Sequence, residues 1–471
     1  MTQSNSETRG MSETRSSPAE RTYFGRTYLR LKWIGLVSLI PIIFLFGVVC
    51  FIGYRETIAS SELKAKLAEM REAGEPFDDE SMAGFFEKTS HKEGTAAWQE
   101  ILALTQAANS LSSRLPIVGD RELPSDLRPS SEWPDQPRVA EFLQEVRPLI
   151  QRIYKADEFP KPVWMPIHFN GFGTLLEEVQ ESRSIARILY LDAFHALYHK
   201  EGDRVLKDIH ALRSVAQAFD WDICFVSKMV SMHIRGMHLD AINRSLNMNV
   251  WNDEQLTELS NHVNQPYEAS KAWKATLAGE LGMAYPILND IRQLRSVEDF
   301  ESNPLLALPV MPSTKLTVIR AYEDLQHCAD AGDARIAEQA KSAEARFFGR
   351  NRTISQPNLF IGMFMPAVSA YAEMFDRFET NRRLTYTSLA VKRYQLKNKR
   401  WPKSLSELAD VGLVSNDWST TDRQSFGYEP KDEMAYVWSY GNLDKKRVPS
   451  ERPKPDTADA QGTLEHLVSI R

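Results

Sequence analysis

The pattern of apolar and polar positions begins with one uninterrupted apolar segment. From Trp33 to Tyr54 the chain runs for twenty-two residues without a charged side chain. A helix rises about 1.5 Å per residue, so this segment measures about 33 Å and can cross a hydrocarbon core of roughly 30 Å. Pro41 is compatible with this interpretation, because a membrane helix tolerates one proline. The pattern predicts a transmembrane helix over residues 33–54 that contacts the lipid bilayer.

Charges on either side of this segment predict its orientation. The N-terminal side carries basic residues, whereas basic residues alternate with glutamates just beyond the span, so the positive-inside rule favours a cytoplasmic N-terminus and an extracytoplasmic body. The first residues are polar and repeat Ser-Glu-Thr-Arg, which predicts a disordered cytoplasmic tail over residues 1–32. The apolar run is long for a cleaved signal peptide, and no Ala-x-Ala-like site follows it. We therefore expect an uncleaved signal anchor, and whether Met1 or Met11 is the true start stays open.

Residues 55–350 show mainly helical periodicity, which predicts a mainly α extracytoplasmic body. The clearest run begins near Thr174 and ends at Glu201-Gly202-Asp203, where a second helix follows. This helix–Gly-Asp–helix unit is similar to one tetratricopeptide-like hairpin, but no regular period of about 34 residues repeats it. Strand signals are almost absent before residue 425. The sequence therefore predicts helical hairpins without a confirmed repeat array.

The C-terminal part combines a long helix with short strands. An apolar-to-amphipathic run extends over residues 358–399, and Trp401-Pro402 ends it because proline cannot continue a helix. Later, the alternation in Tyr436-Val437-Trp438-Ser439-Tyr440 is typical of a strand. We expect a small antiparallel sheet packed on the long helix.

This succession of a long helix, Arg400-Trp401-Pro402-Lys403-Ser404-Leu405 and short strands resembles the globular module of type II secretion major pseudopilins over residues 358–445. It also resembles the C-terminal end of uncharacterised membrane-anchored proteins of planctomycete-type bacteria. The resemblance implies a small α+β module and, together with the anchor, the inner membrane of a bacterium as the location. Beyond it, we expect a flexible tail over residues 446–471. The apolar helix here is internal, and the acidic calcium-binding loop is reduced to Asn442 and Asp444. Filament assembly and calcium binding are therefore not expected.

Composition limits the class of function. The net charge of -6 argues against a general nucleic-acid binder, which usually has a basic domain. Of the three cysteines, Cys50 lies in the apolar segment, and the other two lie in the body. In an extracytoplasmic body Cys224 and Cys328 could form a disulfide, and two buried free thiols are the equal alternative.

Two sets of side chains are candidates for a site. His195 and His199 stand four residues apart, so a helix places both on one side, as in zinc hydrolases; Asp192 is a candidate third ligand, although Ala196 stands where the general-base glutamate would be. Aromatic side chains could line a groove, although aromatics between helices usually form core. These groove candidates are Trp164, His168, Phe169, Phe172 and Trp221.

No serine-hydrolase elbow, phosphate-binding glycine loop or dinucleotide motif is present in the sequence. We therefore predict a non-enzymatic, single-pass envelope protein that acts as a protein-interaction or scaffold module, without a cofactor and with other envelope proteins as partners. The alternative is an extracytoplasmic metal-dependent hydrolase that uses the pair His195 and His199.

Overall fold

A computed structural model gives the fold, which is mainly helical with a small three-stranded sheet. It describes residues 18–110, 114–124, 129, 131–291, 309–348, 355–365, 368–413, 419–420, 425–439 and 466–471. The chain divides into two compact units, one ending at Lys64 and the other comprising Ala65–Arg471. The helices are α1 (Pro18–Ala73), α2 (Asp79–Thr89), α3 (Thr95–Asn109), α4 (Gln136–Glu145), α5 (Arg147–Lys155), α6 (Glu177–Tyr198), α7 (Gly202–Ala218), α8 (Phe225–Ser245), α9 (Asp253–Val263), α10 (Ala269–Asn289), α11 (Pro312–Gln326), α12 (Ile336–Phe348), α13 (Gln356–Phe364) and α14 (Val368–Asn398).

Helix α1 contains the apolar segment. Within the described residues, its part Leu39–Ala73 is the one helix long and apolar enough to cross a membrane. The apolar side chains of residues 39–54 are exposed, with Phe44 and Phe46 about 70% accessible, as a surface facing lipid would be. The predicted disordered tail over residues 1–32 is wrong from Pro18 onward, because α1 begins there. The apolar helix can extend into this polar segment because each residue added to an existing helix gains one backbone hydrogen bond. Residues 1–17 lie outside the described residues.

The predicted helical hairpin is confirmed in α6 and α7. Helix α6 ends with Lys200 in the left-handed region at φ 61°, while the Glu201 N–H donates to the Ala196 carbonyl at 2.9 Å and the Lys200 N–H to the Leu197 carbonyl at 3.1 Å. These two bonds form a Schellman motif, which stops a helix and turns the chain. Gly202 then starts α7, where a Cβ would lie 2.7 Å from the Val250 carbonyl oxygen. A relation to tetratricopeptide repeats stays a prediction.

The C-terminal part contains the predicted small sheet. The strands β1 (Gly427–Pro430), β2 (Ala435–Ser439) and β3 (His466–Ile470) are antiparallel in the order β1-β2-β3. Strand β3 lies inside the predicted flexible tail 446–471, so that prediction is wrong for residues 466–470. Of the rest of the tail, the structure describes only Arg471. The strand pairs with β2, and Asn247 Nδ2 donates to Ser469 Oγ at 2.7 Å. Strand β3 is stabilised by a partner strand distant in the sequence, so the local pattern of residues 466–470 did not predict it.

The predicted long run over residues 358–399 is two helices, α13 and α14, with Pro366 between them in the sequence. A proline removes one helical hydrogen bond and favours such a break. After α14, a short 3-10 helix spans Leu405–Val411.

One continuous core joins the helical body to the C-terminal sheet. The fully buried Trp98 lies 5.3 Å, ring centre to ring centre, from Phe219, and Phe219 lies 5.5 Å from Trp221. The same cluster of buried side chains includes Leu389 of α14 and Val437 of β2. The body and the C-terminal module therefore belong to one compact unit, Ala65–Arg471.

Candidate functional site

A cavity of about 790 Å³ opens among α7, α8, α9, α10 and α14. Basic side chains outnumber acidic ones on its wall, although the whole chain has a net charge of -6. The basic residues are Lys161, Arg213, Lys228, Arg235, Lys271 and Arg382, and the acidic ones are Asp220, Asp222 and Glu268.

Buried ion pairs form the floor of this cavity. Lys228, with 2% of its side chain exposed, places Nζ 2.7 Å from Asp220 Oδ1 and 2.6 Å from Asp222 Oδ1. The second Asp220 oxygen lies 2.7 Å from Arg235 NH2. Burial opposes ionisation of Asp220, but Lys228 and Arg235 outweigh burial and lower its pKa. Two carboxylates therefore pair with two cations here.

Arg213 has no such carboxylate partner. It is half-buried on α7 and donates from NH2 to Gln265 Oε1 at 2.5 Å, and no carboxylate of the described residues lies within ion-pair distance of it. Burial, and then the charge of Arg235, lowers the pKa of Arg213, and the charge of Asp157 opposes this only in part. A cation removed from water without a carboxylate in ion-pair contact is costly, so this guanidinium is suited to an anion from solution.

Two further donors on the same wall lack partners. Arg235 Nε and the Tyr267 hydroxyl are both buried without a hydrogen bond. The Arg235 guanidinium lies 5.1 Å above the centre of the Tyr267 ring, which fixes the two side chains against each other. Buried polar atoms are nearly always hydrogen-bonded, so unsatisfied donors beside a cavity indicate a missing acceptor.

Histidines occupy the side of the cavity next to α9. His238 is buried, and burial together with Arg213 and Arg235 lowers its pKa to about 3, so it is neutral at pH 7. His262, also on the wall, lies with its ring centre 4.5 Å from that of His210. The ligand atoms of His210, Glu258 and His262 all lie within 4.8 Å of one another. Among the described residues, this is the group with the spacing of a metal site.

The predicted metal pair lies elsewhere, at the end of α6. The rings of His195 and His199 are 4.6 Å apart, as their spacing predicts, but Gln136 Nε2 faces both, at 3.5 Å and 3.3 Å from their Nε2 atoms. The candidate third ligand, Asp192, accepts two hydrogen bonds from Arg147, at 2.9 and 3.1 Å, and is also paired with Arg204. Those arginines hold Asp192 as part of the fold. In the described part of the chain, no carboxylate completes a metal site at this pair.

The five groove candidates do not come together as a site. Phe169 and Trp221 both pack edge-on against Phe86, at 5.8 and 5.3 Å between ring centres, and are core residues. Phe172 is 44% exposed and contacts Phe364 instead. None of the five residues, including Trp164 and His168, lines the cavity.

Cys224 and Cys328 are both buried and carry free thiols. Of the two alternatives left open by the sequence, the structure shows the second, two buried free thiols. Burial, and then the nearby Glu280, raises the pKa of Cys224 to about 11, so its thiol is protonated and unreactive at pH 7.

Sequence reasoning missed Arg213, Arg235 and the group around His262. One signal was available for the last: Glu258 and His262 have the same four-residue spacing as His195 and His199. The partner His210 comes from α7, and nothing local in the sequence connects it with α9.

No protein family, curated protein or solved structure matches the chain. The class of protein is therefore defined by its own structure. It is a mainly helical protein with a candidate membrane-spanning helix near the N-terminus, and its large unit contains a basic cavity.

Proposed function

We propose that this chain is a membrane-anchored binding protein whose helical body holds an anionic small molecule in the basic cavity. The observation that carries the proposal is Arg213, a half-buried cation with no carboxylate partner among the described residues. An anion bound there would supply the missing charge, and its oxygens would accept from Arg235 Nε and the Tyr267 hydroxyl.

The size and chemistry of the cavity favour this class of ligand. Its volume of about 790 Å³ falls in the usual range of small-molecule sites, roughly 300–1,000 Å³. Two arginines beside each other match the paired oxygens of a carboxylate or phosphate, which a guanidinium binds with two parallel hydrogen bonds. Neutral His238 adds a hydrogen-bonding group without adding charge.

The test is isothermal titration calorimetry of the full chain in lipid nanodiscs, with inorganic phosphate and with succinate as probes. We expect at least one of the two anions to bind, more weakly at high salt. Arg213→Gln is expected to weaken that binding about 10–100-fold, because a hydrogen bond to a charged group contributes about 1.5–3 kcal/mol.

The matched control is Arg152→Gln, which removes a surface arginine paired with Glu100 outside the cavity. It should leave anion affinity unchanged. Failure of the wild type to bind either probe, or equal affinities of wild type and Arg213→Gln, would contradict the proposal.

Anchoring and location belong to the same proposal. We place the body outside the cytoplasm of a bacterium, attached to the inner membrane by the apolar part of α1, because the flanking basic residues favour a cytoplasmic N-terminus. Proteins of the envelope stay predicted partners.

The described part of the unit Ala65–Arg471 exposes few large apolar side chains, so we rank a ligand cavity above a scaffold surface. Reproducible recovery of one envelope protein by crosslinking would reverse that ranking. The exposed side chains are Leu104, Phe172, Leu175, Val226, Met229 and Met311.

A further inference from the structure

We propose that His210, Glu258 and His262 form a binding site for a divalent transition metal, with Zn²⁺ as the best match. The proposal rests on these three side chains alone and holds whether or not an anion binds in the cavity. It differs in position from the pair His195 and His199 that the sequence suggests.

Two helices bring the three ligands together. Glu258 and His262 are one turn apart on α9, so their side chains lie on the same face, and His210 meets them from α7. His210 Nε2 lies 3.3 Å from Glu258 Oε1, and all three ligand atoms lie within 4.8 Å of one another. In a tetrahedral zinc site with bonds of about 2.0–2.1 Å, neighbouring ligand atoms are about 3.4 Å apart. Small side-chain rotations would therefore complete the geometry.

One ring nitrogen of each histidine in the group lacks a hydrogen-bond partner. His210 Nε2 and His262 Nδ1 are both buried and lack a hydrogen bond. Glu258 Oε1 lies near His210 Nε2 but outside hydrogen-bonding geometry, and the Glu258 side chain is 45% exposed. A metal ion would satisfy both ring nitrogens and the carboxylate at once, which removes the cost of two unpaired buried nitrogens.

The donor set selects the class of metal. Two imidazole nitrogens and one carboxylate oxygen suit Zn²⁺ and its neighbours Co²⁺ and Ni²⁺, whereas Ca²⁺ and Mg²⁺ prefer sites made of oxygen. Three protein ligands leave a fourth tetrahedral position for water or for another ligand. The Glu258 side chain is 45% exposed, so the group borders solvent.

Zinc binding to the full chain tests the proposal directly. Protein purified without a histidine tag, stripped with a chelator and placed in nanodiscs is titrated with ZnCl₂ in a calorimeter. We expect one tight site per chain, and X-ray absorption at the zinc edge should show nitrogen and oxygen ligands at about 2.0–2.1 Å. Absence of a stoichiometric zinc site would overturn the proposal.

Two variants locate the site. His262→Ala should weaken zinc binding by more than about 100-fold, since even the outer partners of metal ligands account for about 10–100-fold. Glu258→Gln changes a partly exposed side chain and should weaken it by at least about 10-fold without affecting folding.

The matched control is His199→Ala, which removes a histidine of the other pair and should leave zinc affinity unchanged. Loss of binding in His199→Ala, with retention in His262→Ala, would assign zinc to the α6 pair and refute the site on α7 and α9. Phosphate binding measured without zinc reports on the cavity separately, so failure of one proposal is distinguishable from failure of the other.

Discussion

Glu280 is a buried acid that should make the stability of this protein depend on pH. It lies on α10 with 6% of its surface exposed, and its Oε1 accepts a hydrogen bond at 2.5 Å from the backbone N–H of Phe225, the first residue of α8. Burial raises the pKa of Glu280 to about 7, and the Phe225 N–H opposes that rise only in part. No basic side chain of the described residues forms an ion pair with it.

The sign and size of the effect follow from linkage. The ordinary pKa of 4.5 applies to the unfolded chain, so the folded protein holds the proton more tightly. The stabilising contribution of protonated Glu280 is complete below pH 4.5 and is lost as the pH rises through about 7. At about 1.4 kcal/mol for each tenfold change in proton affinity, the total loss is about 3 kcal/mol.

Glu280→Gln isolates this contribution, because glutamine keeps the acceptor for Phe225 and cannot ionise. Urea unfolding of the full chain in detergent micelles, followed by tryptophan fluorescence between pH 4 and pH 8.5, gives the free energy of unfolding. Wild type and variant should agree within about 1 kcal/mol at pH 4, and the variant should be more stable by about 3 kcal/mol at pH 8. Comparison at each pH cancels the titration of buried histidines such as His238, which are present in both proteins.

Glu338→Gln is the control, since that glutamate is exposed and forms a surface ion pair with Arg335. It should show no pH-dependent difference beyond about 0.5 kcal/mol. A difference between wild type and Glu280→Gln that stays constant from pH 4 to pH 8 would refute the reasoning, because burial of an ionisable carboxyl could not then be its source.

Two further predictions concern packing and topology. Gly279→Ala should destabilise the protein by about 3 kcal/mol, because its Cβ would lie 2.4 Å from the Asp222 carbonyl oxygen and 2.6 Å from that of Ile223. Gly236→Ala, with nothing within 4 Å of its Cβ, should instead stabilise α8 by about 0.5–1 kcal/mol. The urea unfolding midpoint should therefore fall in Gly279→Ala and rise in Gly236→Ala, and equal shifts in the two variants would contradict this packing. A reporter fused after residue 90 should be active outside the cytoplasm, and cytoplasmic activity would reverse the proposed orientation.

Elements with a local signal could be predicted from the sequence. The candidate membrane helix follows from a run without charges, and the α6–α7 hairpin follows from helical periodicity interrupted at Gly202. The end of α14 before Trp401-Pro402 follows from the chemistry of proline. Each of these features is determined by one continuous stretch of chain, and the pattern there is sufficient.

Features made by distant segments could not be predicted in this way. Strand β3 looks like part of a polar tail until β2 is beside it. The cavity wall joins Arg213 of α7, Arg235 of α8 and Tyr267 of the segment before α10. That no carboxylate of the described residues pairs with Arg213 is visible only when the neighbouring carboxylates have positions. The net charge of a sequence gives only the number of charged residues. A binding site depends on which of those charges lack an opposite charge nearby in the folded protein.

The two histidine groups show the same limit most directly. His195 and His199, like Glu258 and His262, stand four residues apart on a helix, and the sequence gives no reason to prefer either pair. A spacing of four residues places two possible ligands on one face of a helix. Whether they form a metal site depends on which side chain the neighbouring element packs against that face. Opposite the first pair lies the amide of Gln136, which is not a typical metal ligand. Opposite the second lies the His210 ring nitrogen Nε2, which has no hydrogen bond, supplies a third ligand and makes that face the better candidate for zinc.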